Sequence, residues 1–209
     1  MMRRNMLDRT AQALISPFLH RGAIWLARGH VSADVVSLVG FALGLGAATL
    51  IAFQQPLAGL GLLLASRLAD GLDGEVARLT RTTDRGAFLD ITLDFMFYAS
   101  IPLAFALCDP AAHALAAAVL LTSFVGTGSS FLAFAVLAER RGLRNLALPT
   151  KGLYYLGGLT EATETLLCFA AMCLWPQHFA ALAYGFAALC GLTWLSRLHA
   201  GWSIFKDGR

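Results

Sequence analysis

Two short stretches decide how this sequence can fold: SRLADGLDGEVAR (residues 66–78) and GAFLDITLD (residues 86–94). Each interrupts a long apolar run with a pair of carboxylates: Asp70 and Asp73, then Asp90 and Asp94. On insertion scales, one ionised aspartate at the centre of a membrane helix costs about 2.5–3.5 kcal/mol. Four of them on consecutive apolar segments require compensation, and their spacing indicates its kind.

The carboxylates within each pair share a helix face, because residues three or four apart lie on the same side of an α-helix. The loop between the two stretches is short, which predicts that the helices are antiparallel neighbours whose carboxylates converge. Carboxylates this close repel one another unless a cation lies between them. Hard oxygen ligands without Cys or His favour Mg²⁺, Mn²⁺ or Ca²⁺ over zinc. The alternative is neutralisation by arginines alone: Arg67, Arg78, Arg81 and Arg85.

The composition is that of a membrane protein. Of the 209 residues, 57% are hydrophobic and only 14% are charged, which is little charge for the surface of a soluble domain. The apolar residues form blocks, several of which reach the ~20 residues that cross a bilayer as a helix. These blocks predict an all-α fold with six transmembrane helices: 34–53, 57–78, 86–108, 111–138, 152–175 and 179–203.

The basic residues predict the orientation. The turns at 54–56, 109–110 and 176–178 contain no Lys or Arg, and every Lys and Arg except Arg67 falls at the other end of the spans. By the positive-inside rule, both termini and the aspartates face the cytoplasm. The formal net charge of +3 is too small to suggest a nucleic-acid partner.

Residues 1–30 form a separate segment in this prediction. Apolar residues recur at helical spacing between Met6 and Leu26, while arginines can occupy the other face. This pattern predicts an amphipathic helix lying in the membrane interface. The alternative is a disordered basic tail. Residues 31–209 then constitute the six-helix domain.

The spacing of the polar residues resembles a known signature. Asp70-x-x-Asp73-Gly74-x-x-Ala77-Arg78, followed by Gly86-x-x-x-Asp90-x-x-x-Asp94, is similar to the motif of the CDP-alcohol phosphatidyltransferases. That family also has six spans with the motif on the second and third. One departure lies in the loop from Leu79 to Arg85, which is one residue shorter than the family usually has.

The resemblance implies a reaction and its cofactors. A phosphatidyl group would pass from CDP-diacylglycerol to the hydroxyl of a small alcohol of inositol or glycerol type, with release of CMP. Asp70, Asp73, Asp90 and Asp94 would hold Mg²⁺ or Mn²⁺, two ions per active site. Asp94 would also act as the general base on the acceptor hydroxyl.

The resemblance also implies a nucleotide site. Gly74, Ala77 and Arg78 would line it together with Asp73, with Arg78 facing the diphosphate, and the loop residue Thr83 would contribute a contact. Residues 32–40 and 197–202 are similar to the phosphatidylinositol phosphate synthase branch, in which the positions of Asp34 and Ser37 help to hold the nucleotide. The alternative for this segment is helix capping by Ser32 or Asp34.

The acceptor site is less well specified. Glu161 and Glu164 share a face in a polar run of the fifth span, and they either bind the acceptor or pair with Arg197 or a histidine. Basic residues that phosphorylated-acceptor enzymes carry near the end of the fourth span are missing here. Arg140 and Lys151 come later and could substitute.

Three further expectations complete the prediction. The resemblance and the charge pattern together place the protein in the inner membrane of a bacterium. Family likeness and a run of small residues in the fourth span favour a homodimer: Gly126, Gly128, Ser129 and Ser130. Two other functions remain open, namely transfer from a soluble CDP-alcohol to diacylglycerol and ion transport through the same carboxylates.

Overall fold

The computed structural model describes residues 6–142 and 160–206, with side chains from residue 16 onward, and this part of the chain is all-helical. A 3₁₀ turn at Pro176–His178 precedes the last of seven helices, which are α1 Met6–Arg28, α2 Ala33–Ala52, α3 Pro56–Leu79, α4 Asp84–Cys108, α5 Pro110–Arg140, α6 Ala162–Leu174 and α7 Phe179–Ile204. Five of the six predicted spans agree with α2, α3, α4, α5 and α7 to within two residues at each end. The fifth predicted span overlaps α6, and its first part lies outside the described residues.

Local signals set the helix boundaries. Ser32 caps α2 by accepting a hydrogen bond from Val35 N, and Thr83 caps α4 in the same way from Gly86 N at 3.0 Å. Asp109 caps α5 through Ala112 N at 3.1 Å. Ser32, rather than Asp34, is therefore the N-cap of α2, which leaves the Asp34 side chain available for another contact.

Four described helical segments are long and apolar enough to cross a membrane: α2, α4, α5 and the stretch from the 3₁₀ turn through α7. The 24-residue α3 has the length but carries charged side chains along its second half, and the described α6 has only 13 residues. Large apolar side chains face outward on the membrane-length helices, for example Leu115 at 72% exposed and Val125 at 69%. This surface suits lipid, which requires no polar cover.

Helix α2 occupies the centre of one half of the bundle and packs against both α3 and α4. The prediction that α3 and α4 are direct neighbours was wrong at the level of the backbone, because these two helices barely approach each other. Only glycine allows the close contact of α2 with its partners at two positions: a Cβ on Gly44 would lie 2.6 Å from the Phe97 ring, and one on Gly59 would lie 2.7 Å from Ile51. A gap lined by side chains therefore remains between α3 and α4.

The other helices enclose this arrangement. α5 packs against α4 and α7, α6 contacts α3 and α7, and α1 lies along α3 with Leu19 against Gly71. In the described part of the N-terminal helix Ala23 is fully buried, whereas the apolar side chains of Phe18 and Trp25 are about three-quarters exposed, so the amphipathic character of this helix stays a prediction. Its location in a membrane interface stays a prediction.

Two of the four small residues that favoured a dimer pack within the chain. Gly128 is buried against the ring of Phe95, and Gly126 lies against Trp194. Their size is thus required by contacts of α5 with α4 and α7. The homodimer remains a prediction without support from these two glycines.

Candidate metal and nucleotide site

The gap between α3 and α4 forms a small polar pocket beside α2. Its walls combine carboxylates with one guanidinium and a few small or apolar groups: Ser37, Gly40, Phe41, Arg67, Asp70, Asp73, Asp90, Leu93 and Asp94. All four predicted aspartates line this pocket. Four carboxylates against a single arginine leave it negatively charged.

Three of the four carboxylates converge. One oxygen each of Asp70, Asp90 and Asp94 lies within 4.8 Å of the others, although these side chains come from two helices whose backbones are apart. Asp73 sits to one side, only 6% exposed, and accepts a hydrogen bond from Ser37 Oγ. The structure thus separates a tight group of three from a fourth carboxylate tied to α2.

Helix α2 determines the position of α3 at this level. The Ser66 hydroxyl donates to the Gly40 carbonyl at 2.7 Å, and a Cβ on Gly40 would come within 3.1 Å of the Ala69 Cβ. Asp70 and Asp73 follow directly on α3. Close packing through Gly40 and Ser66 therefore fixes how far these two carboxylates stand from Ser37 and from α4.

The residues present fit a divalent cation. The group of three offers only carboxylate oxygens, the ligands that Mg²⁺ and Mn²⁺ prefer, and it lies at the mouth of a pocket with Asp90 exposed. The arginine alternative is also partly realised, since Arg67 contacts two of the carboxylates. One guanidinium cannot neutralise four aspartates, so the pocket retains charge that a metal ion would offset.

Arg78, which was predicted to face the diphosphate, already has a partner in this structure. Arg78 pairs with Glu75 at 2.6 Å, and its guanidinium lies over Gly74. Glu75 is also 3.5 Å from His20 of α1. Sequence reasoning missed Glu75, whose three-residue spacing from Arg78 was the available signal.

A second ion pair joins the start of α2 to the start of α4. Asp34, in the first turn of α2, pairs with the exposed Arg85 from the start of α4. A Cβ on Gly86 would lie 3.3 Å from Asp34 and 3.2 Å from the Thr83 hydroxyl. The predicted residues Asp34, Thr83 and Gly86 are thus neighbours, although the Thr83 side chain is already engaged as a helix cap.

The described part of the structure does not bring the predicted acceptor residues together at one site. Glu164 accepts a hydrogen bond from Glu161 N at 3.0 Å, one half of a capping box at the start of α6. Arg140 is exposed at the end of α5, and Lys151 lies outside the described residues. Helix capping is therefore an established use of Glu164, whereas acceptor binding stays a prediction.

Arg197 differs from its expected position. The sequence grouped it with the basic residues at the ends of the spans, but it is only 8% exposed inside α7 and donates to the Thr127 carbonyl at 3.0 Å. Its guanidinium lies 5.6 Å from the Phe131 ring centre. Its burial follows from a position seven residues before the end of α7, about two helical turns.

Comparison with known proteins identifies the family. The family model described as CDP-alcohol phosphatidyltransferase matches residues 30–198, most of the chain. The protein belongs to the CDP-alcohol phosphatidyltransferases, and it is an integral membrane enzyme of phospholipid biosynthesis. The carboxylate-based transporter considered as an alternative is not supported.

Relatives and solved structures agree with this assignment. The chain is 47% identical over 202 residues to the inner membrane protein YnjF of Escherichia coli (strain K12), covering 97% of this chain and 98% of that one. An uncharacterized protein of Aquifex aeolicus (strain VF5) is 35% identical over 155 residues, 73% of this chain and 71% of that one.

The fold resembles crystal structures of the Mycobacterium tuberculosis phosphatidylinositol phosphate synthase PgsA1. The structure with CDP-DAG bound matches with a TM-score of 0.65, covering 88% of this chain and 93% of that chain. The complex with manganese and citrate matches with a TM-score of 0.71, covering 88% of each chain. At 23% identity these similarities concern the fold.

Proposed function

We propose that this enzyme transfers a phosphatidyl group from CDP-diacylglycerol to the hydroxyl of a small alcohol of inositol or glycerol type and releases CMP. The observation that carries the proposal is the convergence of Asp70, Asp90 and Asp94 within 4.8 Å, with Asp73 in the same pocket wall. A negatively charged pocket of this kind binds a diphosphate only together with divalent cations. The CDP-DAG complex and the manganese complex of the structurally similar PgsA1 support both halves of this reasoning.

The donor would enter between α2 and the α3–α4 loop. In this proposal Arg78 leaves Glu75 and turns its forked donors to the diphosphate, a geometry that suits phosphate oxygens. The small residues Gly74 and Ala77 leave room beside α3 for the cytidine. Asp34, Ser37, Asp73 and Thr83 bound the other side, where side-chain oxygens can accept hydrogen bonds from the nucleotide.

Asp70, Asp73, Asp90 and Asp94 would hold two ions of Mg²⁺ or Mn²⁺, which when bound offset the charge of the diphosphate and make CMP a better leaving group. The preference for oxygen-only ligands follows from the residues themselves. Ser37 supports this set, because its hydroxyl fixes one oxygen of Asp73 and so orients that carboxylate.

Asp94 would act as the general base. It lies one turn deeper along α4 than Asp90, and its carboxylate borders the pocket. The acceptor hydroxyl gives its proton to Asp94, and the hydroxyl oxygen forms a bond to the phosphorus that bears the diacylglycerol. The bond from that phosphorus to the bridging oxygen breaks, and CMP leaves with the electron pair.

The acceptor side and the surroundings of the enzyme belong to the same proposal. Glu161, Glu164, Arg140 and Lys151 are the candidates for acceptor contact. The charge of Glu161 acts on Arg197, and the Thr160 hydroxyl bonds to Thr193 one turn before Arg197, which supports a polar path there. The similarity to an inner membrane protein supports that membrane as the location. A cytoplasmic active site rests on the distribution of Lys and Arg.

The experiment supplies purified enzyme in detergent with labelled CDP-diacylglycerol, Mg²⁺ and a panel of alcohols, both free and phosphorylated, and measures CMP and the lipid product. We expect CMP release that depends on one alcohol. A parallel reaction contains diacylglycerol and soluble CDP-alcohols, the other donor arrangement. Product in the second reaction and none in the first would reverse the assignment of donor and acceptor.

A further inference from the structure

Arg67 is a charged residue in the middle of α3, and its side chain lies between the carboxylates. Its Nη1 is 2.6 Å from Asp94 Oδ1 and 3.5 Å from Asp70 Oδ1, so one nitrogen serves two helices. Its Nη2 lies 3.4 Å from the Ser66 hydroxyl. The side chain is only 13% exposed. Arg67 is thus a direct side-chain link across the gap between α3 and α4.

The contact with Asp94 uses one nitrogen although an arginine and a carboxylate can form two parallel hydrogen bonds. Arg67 meets Asp94 through Oδ1, and this contact leaves Oδ2 for another partner. The Arg67 Nε is buried without a hydrogen-bond partner among the described residues. A guanidinium placed only to neutralise a carboxylate would satisfy more of its donors. The single hydrogen bond instead fits a residue that holds Asp94 by Oδ1 and leaves Oδ2 of Asp94 accessible.

The aromatic floor under Arg67 fixes its position. The guanidinium carbon is 3.8 Å from the centre of the Phe97 ring and 5.8 Å from that of Tyr98. Phe97 is 1% exposed and belongs to the hydrophobic core, so the ring cannot move away. A cation over a buried aromatic face is held more firmly than one in solvent. Arg67 therefore presents a positive charge at a fixed place beside Asp94 and Asp70.

We infer that Arg67 is a positioning residue that holds Asp94 for its role as base. Its fixed positive charge also lowers the affinity of Asp70, Asp90 and Asp94 for divalent metal. The inference rests on the proposed function of Asp94. The charge lies within a few ångströms of any ion that Asp70 and Asp94 hold together, so it repels that ion. Without Arg67, Asp94 would turn fully to the metal, and the site would bind metal more tightly while reacting more slowly.

The test is the variant Arg67→Gln, in which the charge is lost and the length largely kept. Binding of Mn²⁺ to the purified protein without any CDP-lipid is measured from the electron paramagnetic resonance signal of free Mn²⁺. We expect Mn²⁺ to bind at least about tenfold more tightly than to the wild type, because a unit charge a few ångströms from a divalent ion opposes binding by more than that factor even in bulk water. Turnover should fall about 10–100-fold with little change in KM for CDP-diacylglycerol. A variant that was merely damaged would bind Mn²⁺ more weakly, so the sign of the change is decisive.

Two variants serve as controls. Arg81→Gln removes the same charge from an exposed position in the α3–α4 loop and should leave Mn²⁺ affinity within about twofold of the wild type, since exposed charges are screened. Arg67→Lys keeps the charge without the planar fork, so Mn²⁺ affinity should stay near the wild-type value while turnover falls. If Arg67→Gln does not fold, Arg67→Met takes its place, because it also removes the charge and keeps an unbranched side chain over the Phe97 ring.

A double-variant cycle completes the test. Once Asp94→Asn has removed the proton acceptor, Arg67→Gln should lower turnover by less than twofold further, because Arg67 acts through Asp94. Unchanged or weaker Mn²⁺ binding by Arg67→Gln, or additive losses in the cycle, would overturn the inference. The failure of the proposed function is distinguishable: the wild type itself would then release no CMP, whereas the Mn²⁺ measurement needs no substrate.

Discussion

The two ends of this helix bundle differ in the side chains that meet between neighbouring helices. At one end, here called the aspartate end, α3 finishes and α4 begins, and the gap between them contains Arg67 and the four aspartates. At the opposite end, a side chain of α4 meets one from the start of α7: Phe105 stacks on Phe179 with ring centres 4.5 Å apart. At the aspartate end charged side chains meet across a gap between two helices, whereas at the opposite end the contact between α4 and α7 is made by stacked aromatic rings.

Phe97 marks the border between these two regions. One contact of its ring is with the Arg67 guanidinium, and others are with Tyr98 and Phe169 in the core. The charged pocket is therefore supported from below by buried aromatic side chains. Charges in a membrane protein can be held in place when well-packed aromatic groups limit their movement, because a buried core is dense and resists rearrangement.

Metal removal gives the largest expected effect and concerns the aspartate end alone. Excess EDTA should abolish CMP release from CDP-diacylglycerol, and Mg²⁺ or Mn²⁺ should restore it, since four carboxylates and a diphosphate repel one another without cations. CMP release is measured before and after addition of the metal. Helical content, measured by circular dichroism, should stay unchanged because the core lies elsewhere. Full activity in excess chelator would refute the metal site.

Substitution of single aspartates should distinguish the general base from the metal ligands. Asp94→Asn should lower turnover by about 10²–10⁴-fold with donor affinity largely kept, because a general base is lost. Asp70→Asn should instead weaken metal binding and recover in part with excess Mg²⁺. Turnover and CDP-diacylglycerol affinity are measured separately for each variant.

Asp109→Asn is the matched control, since Asp109 caps α5 at the opposite end and asparagine caps equally well. It should retain wild-type activity. If Asp94→Asn lost donor affinity as severely as Asp70→Asn and recovered with metal, Asp94 would be a ligand and not the base.

Removal of a buried ring at the opposite end should lower the stability of the fold and leave metal binding intact. Phe105→Ala removes a ring that is 1% exposed and should destabilise the fold by about 3–5 kcal/mol. Thermal unfolding in detergent checks the loss, and Mn²⁺ affinity of the folded variant should match the wild type. Leu115→Ala, at a position 72% exposed, is the control with little expected change. A large drop in Mn²⁺ affinity for Phe105→Ala would show that the two ends are coupled.

The border itself can be tested through a single added methyl group. In Gly44→Ala the new Cβ would lie 2.6 Å from the Phe97 ring and 3.0 Å from the Ser66 hydroxyl, so the ring must shift. We expect a loss of about 1–3 kcal/mol in stability from overpacking, and lower turnover because Arg67 loses its support. Gly61→Ala is the matched control on α3, where a Cβ meets nothing within 4 Å. Equal behaviour of the two variants would contradict the role given to Phe97.

Single cysteine substitutions in exposed turns should perturb the protein least. Their labelling shows which side of the membrane each end of the bundle faces. Single cysteines at Thr82 and Gly142, in a background without the four native cysteines, should react with an impermeant reagent from the cytoplasmic side. Cysteines at Gln55 and Gln177 should react from the opposite side. One reversed position would break the six-span topology, which the four apolar helical segments support only in part.

The sequence by itself determined the helices and the chemistry of the site. Long apolar runs specify helix length through the thickness of a bilayer, and Pro56, Thr83 and Asp109 specify boundaries through local geometry. The spacing of the four aspartates placed each pair on one helix face, and the resemblance of that spacing to a family signature is confirmed by the family match. These features depend on residues near one another in the chain, so they can be read without a fold.

Only the tertiary structure decided which helices are neighbours and which charges meet. The short loop between α3 and α4 suggested direct packing, but α2 packs against both, because Gly40 and Gly44 let it approach where larger residues would not. Because α2 packs against both helices, a gap remains between α3 and α4. Asp70, Asp90 and Asp94 converge in this gap, and Arg67 bridges to Asp94 over Phe97. It also placed Arg197 inside the bundle. Such contacts join residues far apart in the chain, and their formation depends on the packing of side chains from several helices at once, which no local spacing encodes.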